Sequence, residues 1–463
     1  MTDQVRPSDL DALRKNAKAL VAATPGLKFV DAFFTDLNGV LRGKRLPVDA
    51  AMGLFKNGLR LPRSLVGVDI WGYDVMDNGL VMETGDVDGV CYPVGAGMLP
   101  SPWAAEPTAQ IMMMMGDEDG GAFLADPRQL LKEMKTRLAA IDLHPVAAME
   151  LEFYLLSRET NEFGVPLTPA LGATGRRIDD ARMYAMNELD SYSPFFNDLY
   201  AACERQGIPL GAAIVEGGAG QFEVNLMHQP DVLLAADQAV LFRRAVKGVA
   251  DKHNMIATFM AKPFGDRAGN GLHVHMSMLN GKGENVFSGD GDEGSAVLHQ
   301  AVAGLLAASP EAMIFLAPHL NSMRRFQDGS HAPTCLAWGY ENRTASIRIP
   351  NDSPANRRFE FRIAGADANP YLVMAALLGG VLHGVQNKLT PPPATEGNAY
   401  ESGSAKVPTS WRAALTAFAE GSILAPMYGE LFTRVYCALK QQEIRTAGQR
   451  VTDFEYDSYL QAF

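Results

Sequence analysis

Residues 148–156, AMELEFYLL, set Glu150 and Glu152 two positions apart in an otherwise apolar run. On an extended chain residues i and i+2 face the same way, and the residue between them faces the other way. The run therefore predicts a strand with an acidic front and an apolar back. Three more segments repeat the pattern. IVEGGAGQFEVNL (214–226) supplies Glu216 and, on an alternating stretch, Glu223. GNGLHVHMSM (269–278) supplies His273 and His275, and RRFEFRIAG (357–365) supplies Glu360 and Arg362, with Arg358 in phase. The intervening Leu151, Phe222, Val274 and Phe361 belong on a buried face. One such strand is an ordinary solvated edge. Four, each sorting its charged side chains to one side, read as the walls of a single charged cavity.

Carboxylates with one or two imidazoles suit hard divalent cations such as Mg²⁺ or Mn²⁺. The four cysteines, at 91, 203, 335 and 437, form no CxxC pair and are expected as small buried hydrophobes, which disfavours structural zinc. Between 324 and 362 stand Arg324, Arg325, Arg343, Arg348, Arg357, Arg358 and Arg362, with no lysine, against Asp328, Glu341, Asp352 and Glu360. Guanidinium forks match carboxylate and phosphate oxygens, and metals beside arginines suit phosphoryl transfer. No GxxxxGK[ST] occurs, so a P-loop is excluded. The stretch EGGAGQ reads as a tight turn or a phosphate cradle. The residues alone thus point to a metal-dependent, ATP-type phosphoryl-transfer enzyme with a carboxylate-bearing substrate.

The chain has 463 residues, is 47% hydrophobic and 20% charged, and carries a net charge of -12. These values exclude disorder as the main theme. The negative charge argues against nucleic acid and anionic membranes, which need a basic footprint. The N-terminus has no signal-like apolar region and no 18-residue apolar run is found, so a soluble cytoplasmic protein is expected. Residues 1–118 read as a small strand-rich domain. Ser8 is a candidate N-cap for a helix over 8–22, Asn38-Gly39 marks a hairpin, and Ile111 to Met115 form a buried strand. Residues 119–463 alternate strands and long helices, opened by Asp126-Pro127 and including 231–253, 293–309 and 369–389. The Pro-rich stretch 389–404 reads as an exposed loop or flap.

Together, TDLNGVLRGKRLP (35–47), MELEF (149–153), EGGAGQFEVNL (216–226), GNGLHVHMS (269–277), NSMRRF (321–326), NRTASIRIP (342–350) and RRFEFRIAGADANPYL (357–372) resemble the glutamine synthetase family over nearly the whole length. The resemblance implies an α+β fold, with an N-terminal β-grasp domain and a catalytic domain on a curved antiparallel sheet flanked by helices. It implies a homo-oligomer, a dodecamer of two hexameric rings with active sites between neighbouring subunits. ATP, L-glutamate and an amine would be the small-molecule partners, with two or three Mg²⁺ or Mn²⁺ ions per site. By motif position, Glu152, Glu216 and Glu223 resemble the ligands of one metal, and Glu150, His273 and Glu360 those of another. Gly269, Arg325, Arg343 and Arg362 resemble glutamate or γ-phosphate contacts. His275, Ser277, Arg348 and Arg358 resemble nucleotide-side residues. Glu216, Arg343 and His331 are the candidate catalytic residues.

The departures point to the acceptor. Ammonium-using members carry an acid in a GYEAP-like flap motif, whereas this chain reads GSHAP and places His331 there. The DGSS-like acidic stretch of the N-terminal domain reads LPRSLVGVDIWG (61–72). A site that loses negative charge and gains a ring should bind ammonium poorly and accept a larger amine. GSHAP, AWGYENRT and RIAGADANPY resemble the γ-glutamylpolyamine synthetase branch. His331 would be general base or pocket wall, and Trp71, Tyr73 and Trp338 are candidate amine-pocket aromatics. Ala268 stands where many relatives have Asn. Tyr400 lies where some relatives carry a modified tyrosine, though the surrounding GNAYESG differs and a plain loop residue is expected. A ligase for monoamines, an ammonium-using glutamine synthetase and an inactive homologue are the alternatives. All six metal-ligand positions are kept, which argues against the last.

Overall fold

Strands β1 (Phe29–Thr35) and β2 (Leu41–Pro47) pair antiparallel, from Phe29↔Pro47 to Thr35↔Leu41. The loop between them carries Asn38-Gly39, with Gly39 at φ 76°, a conformation free of steric cost only without a Cβ. Asp36 closes this loop, its Oδ1 accepting the N–H groups of Asn38 (2.9 Å) and Val40 (2.8 Å). Strands β3 (Leu59–Pro62), β4 (Asp88–Pro100) and β5 (Thr108–Met115) complete a sheet in the order β2–β1–β5–β4–β3. Within it β1 and β5 run parallel and the other pairs antiparallel, as a β-grasp requires. Ile111 to Met115 are buried in β5. Helix α1 (Leu10–Ala23) turns Leu10, Leu13 and Ala17 inward.

The computed structural model describes residues 9–171, 175–180, 182–289, 291, 293–327 and 329–463. Ser8, the expected N-cap of α1, lies outside them.

Helix α2 (Pro127–Ala139) starts at the expected Asp-Pro pair, with the Asp126 carboxylate accepting the N–H groups of Arg128 and Gln129. The long strand β6 (His144–Ser157) follows and is the spine of the second sheet. Its companions are β7 (Leu210–Val215), β8 (Gln221–Leu226), β9 (Met255–Thr258), β10 (Leu272–Leu279), β11 (Trp338–Tyr340), β12 (Ile347–Ile349) and β13 (Phe359–Phe361). The order is β11–β12–β13–β10–β6–β8–β7, with β9 also on β6. This curled sheet is antiparallel apart from the β11/β12 pair at its edge. Leu151, Phe222, Val274 and Phe361 are at most 1% exposed on its back. Helix α3 (Val232–Lys252) covers part of that back, and its Phe242 meets Phe153 of β6 edge-on, with ring centroids 6.3 Å apart.

Helices α4 (Ala296–Leu316) and α5 (Pro370–Gln386) pack against each other in the core. Their backbones approach closely where Gly304 meets Gly380 and Gly384, since a Cβ on Gly304 would fall 2.1 Å from the Gly380 carbonyl oxygen. One expectation needs correction here. The sequence reading takes this helix only to Ser309, but α4 runs on through Pro310 to Leu316. Pro310 has no N–H to complete the helical ladder, while the Ser309 hydroxyl bonds the Leu305 carbonyl at 2.7 Å, and burial of Met313 to Leu316 outweighs the local loss. The same helix has the length and mean composition of a membrane span, but His299, Gln300 and Glu311 interrupt its apolar residues and most of it is buried inside this fold.

Buried polar links tie the elements that carry the site. Arg128 of α2 grips Asp237 of α3 through two 2.8 Å bonds, and the Tyr371 hydroxyl of α5 adds a third at 2.6 Å. On helix α6 (Leu424–Gly448), Lys440 and Glu443 form a fully buried pair at 2.9 Å. Lys440 donates to Asn38 Oδ1 (2.6 Å), and Glu443 accepts from Asn38 Nδ2 (2.7 Å) and Ile70 N (2.8 Å). Every charge of this clasp is paired, the condition under which burial of ions is tolerated. It anchors the N-terminal hairpin and the 69–71 turn to the C-terminal helix. Cys91, Cys203 and Cys335 are buried and Cys437 is half-buried, all as free thiols.

Candidate active site

The registers of the second sheet align the polar fronts. Glu152 of β6 lies opposite Glu223 of β8, and Glu150 lies opposite Asn225 on one side and His273 of β10 on the other. His275 lies opposite Glu360 of β13, which lies opposite Arg348 of β12. A period-two pattern on four segments thus becomes a continuous charged surface. Glu216 stands at the start of the β7–β8 turn, and its N–H bonds the Gln221 carbonyl at 3.0 Å. The EGGAGQ stretch is that hairpin turn. Gly218 is pressed against the Tyr154 hydroxyl, where a Cβ would sit 1.9 Å away, so the glycines there serve close packing.

These side chains line a cavity of about 510 Å³, together with Gly269, Arg325, His331, Arg343, Arg348 and Arg362. Of the expected residues, Ser277 and Arg358 do not line it. Arg358 stands beside it, bonding Asp352 at 2.8 Å and donating from Nε to His275 Nδ1 at 3.3 Å. The Nδ1 of His275 is therefore an acceptor, and its Nε2 lies 3.1 Å from Glu150 Oε1. Glu360 is gripped by Arg348 at 2.8 Å and by Arg362. Arg325 is anchored to the carbonyls of Ile363 (2.6 Å) and Arg362 (3.3 Å). Gln221 ties the floor together, donating to Gly269 O and to Asn270 Oδ1, both at 3.0 Å.

Trp71, Tyr73 and Trp338 do not line the cavity within one chain. Trp338 is buried at the sheet edge, where its Nε1–H bonds the Pro392 carbonyl at 2.8 Å. Trp71 and Tyr73 are exposed on the N-terminal domain. The apolar wall is instead Met183, Tyr184 and Ile214, next to Glu216. Met183 and Tyr184 fall in a stretch with no helical or strand period, so no sequence pattern marks them. Tyr184 takes φ 61°, and its N–H bonds the Val215 carbonyl at 3.0 Å.

The electrostatics separate the acids. Burial pushes Glu150 upward, yet hydrogen bonds from His273 and His275 outweigh it and hold the carboxyl well below the usual range. Glu360 is likewise opposed by burial but drawn down to about 2 by Arg362 and the two histidines. Burial and the Glu152 charge push Glu216 up to about 7. Glu223, buried and facing Glu150, Glu152 and Glu216, is pushed up to about 9. Two acids with raised values beside two with lowered ones describe a cavity with too much negative charge for its own cations.

That imbalance, and the donor set, fit divalent cations. Oxygen and nitrogen atoms of Glu150, Glu223 and His273 lie within 4.8 Å of one another, as do those of Glu150, His275 and Glu360. The two sets share Glu150. Gly271 leaves the space open. A Cβ there would lie 3.1–3.2 Å from Arg325 Nη2, Glu152 Oε1 and His273 Nε2. Ions held here would neutralise phosphate oxygens during phosphoryl transfer. The arginines present rigid donor forks for carboxylate or phosphate, and the flap carrying His331 borders the mouth.

Comparison with known proteins agrees with this geometry. Residues 124–459 match the family description "glutamine synthetase, catalytic domain". The chain belongs to the glutamine synthetase family. It is 40% identical over 449 residues to gamma-glutamylputrescine synthetase PuuA of Escherichia coli, covering 97% of this chain and 95% of that one. It is 31% identical to the glutamate–isopropylamine ligase of a Pseudomonas species, covering 92% and 93%. It is also 31% identical to gamma-glutamylethanolamide synthetase GlnA4 of Streptomyces coelicolor, covering 98% and 96%. Among solved structures, a GmaS/ADP complex superposes with a TM-score of 0.82 at 26% identity, covering 99% of this chain and all of that one. As a member of the glutamine synthetase family, the protein is a ligase forming carbon–nitrogen bonds, and membership implies ATP and a divalent metal.

Proposed function

We propose that the enzyme joins the γ-carboxylate of L-glutamate to a polyamine such as putrescine or spermidine, in polyamine catabolism and nitrogen assimilation in the cytoplasm. The observation that carries this reading is the flap, where His331 borders the cavity at the position of the expected acid, with Met183, Tyr184 and Ile214 lining the same cavity. The full-length likeness to a gamma-glutamylputrescine synthetase supports it. A glutamate oxygen attacks the terminal phosphorus of ATP, giving γ-glutamyl phosphate and ADP. The amine nitrogen then attacks the acyl carbon, phosphate leaves with the C–O electron pair, and the nitrogen gives up a proton. In this reading Glu216 or His331 takes that proton.

In this reading Glu152, Glu216 and Glu223 hold one Mg²⁺ or Mn²⁺, and Glu150, His273 and Glu360 hold another. Gly269, Arg325, Arg343 and Arg362 hold glutamate and the transferring phosphoryl group. His275, Ser277, Arg348 and Arg358 serve the nucleotide. The domains divide at 118/119, and twelve copies assemble as two hexameric rings. The 31% identical ligases, named for isopropylamine and an ethanolamide, favour a monoamine as the second reading.

Phosphate release and product mass, measured across putrescine, spermidine, isopropylamine, ethanolamine and ammonium, test the proposal. A diamine or polyamine should give the highest kcat/KM. A monoamine in first place selects the second reading. Stronger turnover with low-millimolar ammonium than with any amine overturns both.

A further inference from the structure

The Pro-rich stretch that the sequence presents as an exposed loop is a strap joining two walls of the cavity. On the flap side, the Tyr400 hydroxyl donates to the Ala332 carbonyl at 3.0 Å, one residue from His331. The flap's trailing segment is stitched to the strap by Val407 N to Thr334 O (3.0 Å) and Leu336 N to Ala405 O (2.7 Å). On the other side, Asn342 Nδ2 donates to the carbonyls of Thr395 (3.0 Å) and Gly397 (2.9 Å). The Ala399 N–H donates to Thr344 Oγ1 at 2.9 Å. Asn342 and Thr344 flank Arg343, which lines the same cavity as His331. His331 is an exposed residue at φ 60°, a conformation that costs a non-glycine residue free energy and persists only when its surroundings hold it. The Tyr400 bond lies immediately beside it.

We propose that Tyr400 is a positioning residue for amide formation: by fixing the Ala332 carbonyl it keeps His331 over the cavity, in register with the Arg343 wall held by the same strap. This inference rests on the ligase reading above. An acyl phosphate is open to water as well as to amine. Water attacking its acyl carbon releases phosphate and regenerates glutamate, so that ATP and water give ADP and phosphate with no amide. A flap held by Tyr400 disfavours that route by excluding water.

The test is Tyr400→Phe in the full-length enzyme, which removes only the hydroxyl. The ratio of amide to ADP should be near one for the parent. It should fall about five- to tenfold in the variant, as loss of one hydrogen bond allows. The KM for amine should rise while the KM for ATP stays. Hydrogen exchange should quicken in peptides covering 329–336 and remain as in the parent elsewhere. Thr344→Val, which removes one of the strap's anchors on the Arg343 side, should also lower the ratio, and it decides the matter if Tyr400→Phe fails to fold. An unchanged ratio and unchanged flap exchange overturn the proposal. So does faster exchange throughout the chain with a lowered melting temperature, which marks a merely structural role. If the parent makes no glutamate-dependent ADP with any amine, the ligase reading fails, and hydrogen exchange still decides whether Tyr400 holds the flap.

Discussion

Metal binding to this cavity should expel protons, and the number follows from the geometry. Glu150, Glu152, Glu216, Glu223 and Glu360 share one cavity, so without metal some must stay protonated. Glu223 at about 9 is almost wholly protonated at pH 7, and Glu216 at about 7 is half protonated. A cation needs both as carboxylates, so binding at pH 7 should release about 1.5 protons per chain, rising to about 1.9 at pH 6 and falling to about 1 at pH 8. Protons and metal compete, so the logarithm of the apparent affinity should climb with pH at about 1.5 per unit near neutrality. For the metal-free fold the sign is opposite. Two carboxyls with raised folded-state values stabilise it when protonated, and that contribution is lost as the pH rises from the ordinary carboxyl range through about 7 for Glu216 and about 9 for Glu223. The assay is calorimetric titration of Mg²⁺ into metal-stripped enzyme at pH 7, in several buffers of different ionisation enthalpy. The slope of observed enthalpy against buffer enthalpy counts the protons. Glu223→Gln should lower that count by about one. A slope of zero, or a Glu223→Gln slope equal to the parent's, refutes the reasoning that these acids are crowded in the empty cavity.

Glu360→Gln should cut amide formation by about 100-fold or more, because one carboxylate both offers a metal ligand and pairs Arg348 and Arg362. Steady-state phosphate release reads that loss, and thermal unfolding reads the cost of leaving the buried Arg362 and half-buried Arg348 guanidinium groups under-paired. His331→Glu restores an acid at the flap and should raise the ammonium-to-amine ratio of kcat/KM by about tenfold, about 1.4 kcal/mol of differential binding. An unchanged ratio removes His331 from the determinants of acceptor choice.

Much of the charged surface is legible in the chain because a strand has a strict period of two. Once Leu151, Phe222, Val274 and Phe361 must face a core, Glu150, Glu152, Glu223, His273, His275 and Glu360 have only the other face to occupy. Asp126-Pro127 likewise announces a helix through local chemistry alone. Where several interactions compete, the local signal fails. Pro310 reads as an end, yet α4 continues because the residues beyond it are buried. For Trp338 the sequence leaves pocket and core both open, and the structure takes it into the sheet edge, where its Nε1–H bonds the Pro392 carbonyl.

What the sequence determined by itself is which residues share a face and which family the motifs resemble, since both depend on spacing along the chain. Tertiary structure alone decided the register that sets Glu150 between Asn225 and His273. It also decided the Met183–Tyr184 wall and the strap that carries Tyr400 to Ala332. Those depend on contacts between segments tens to hundreds of residues apart, where no periodicity reaches and only packing of the whole chain selects the partner.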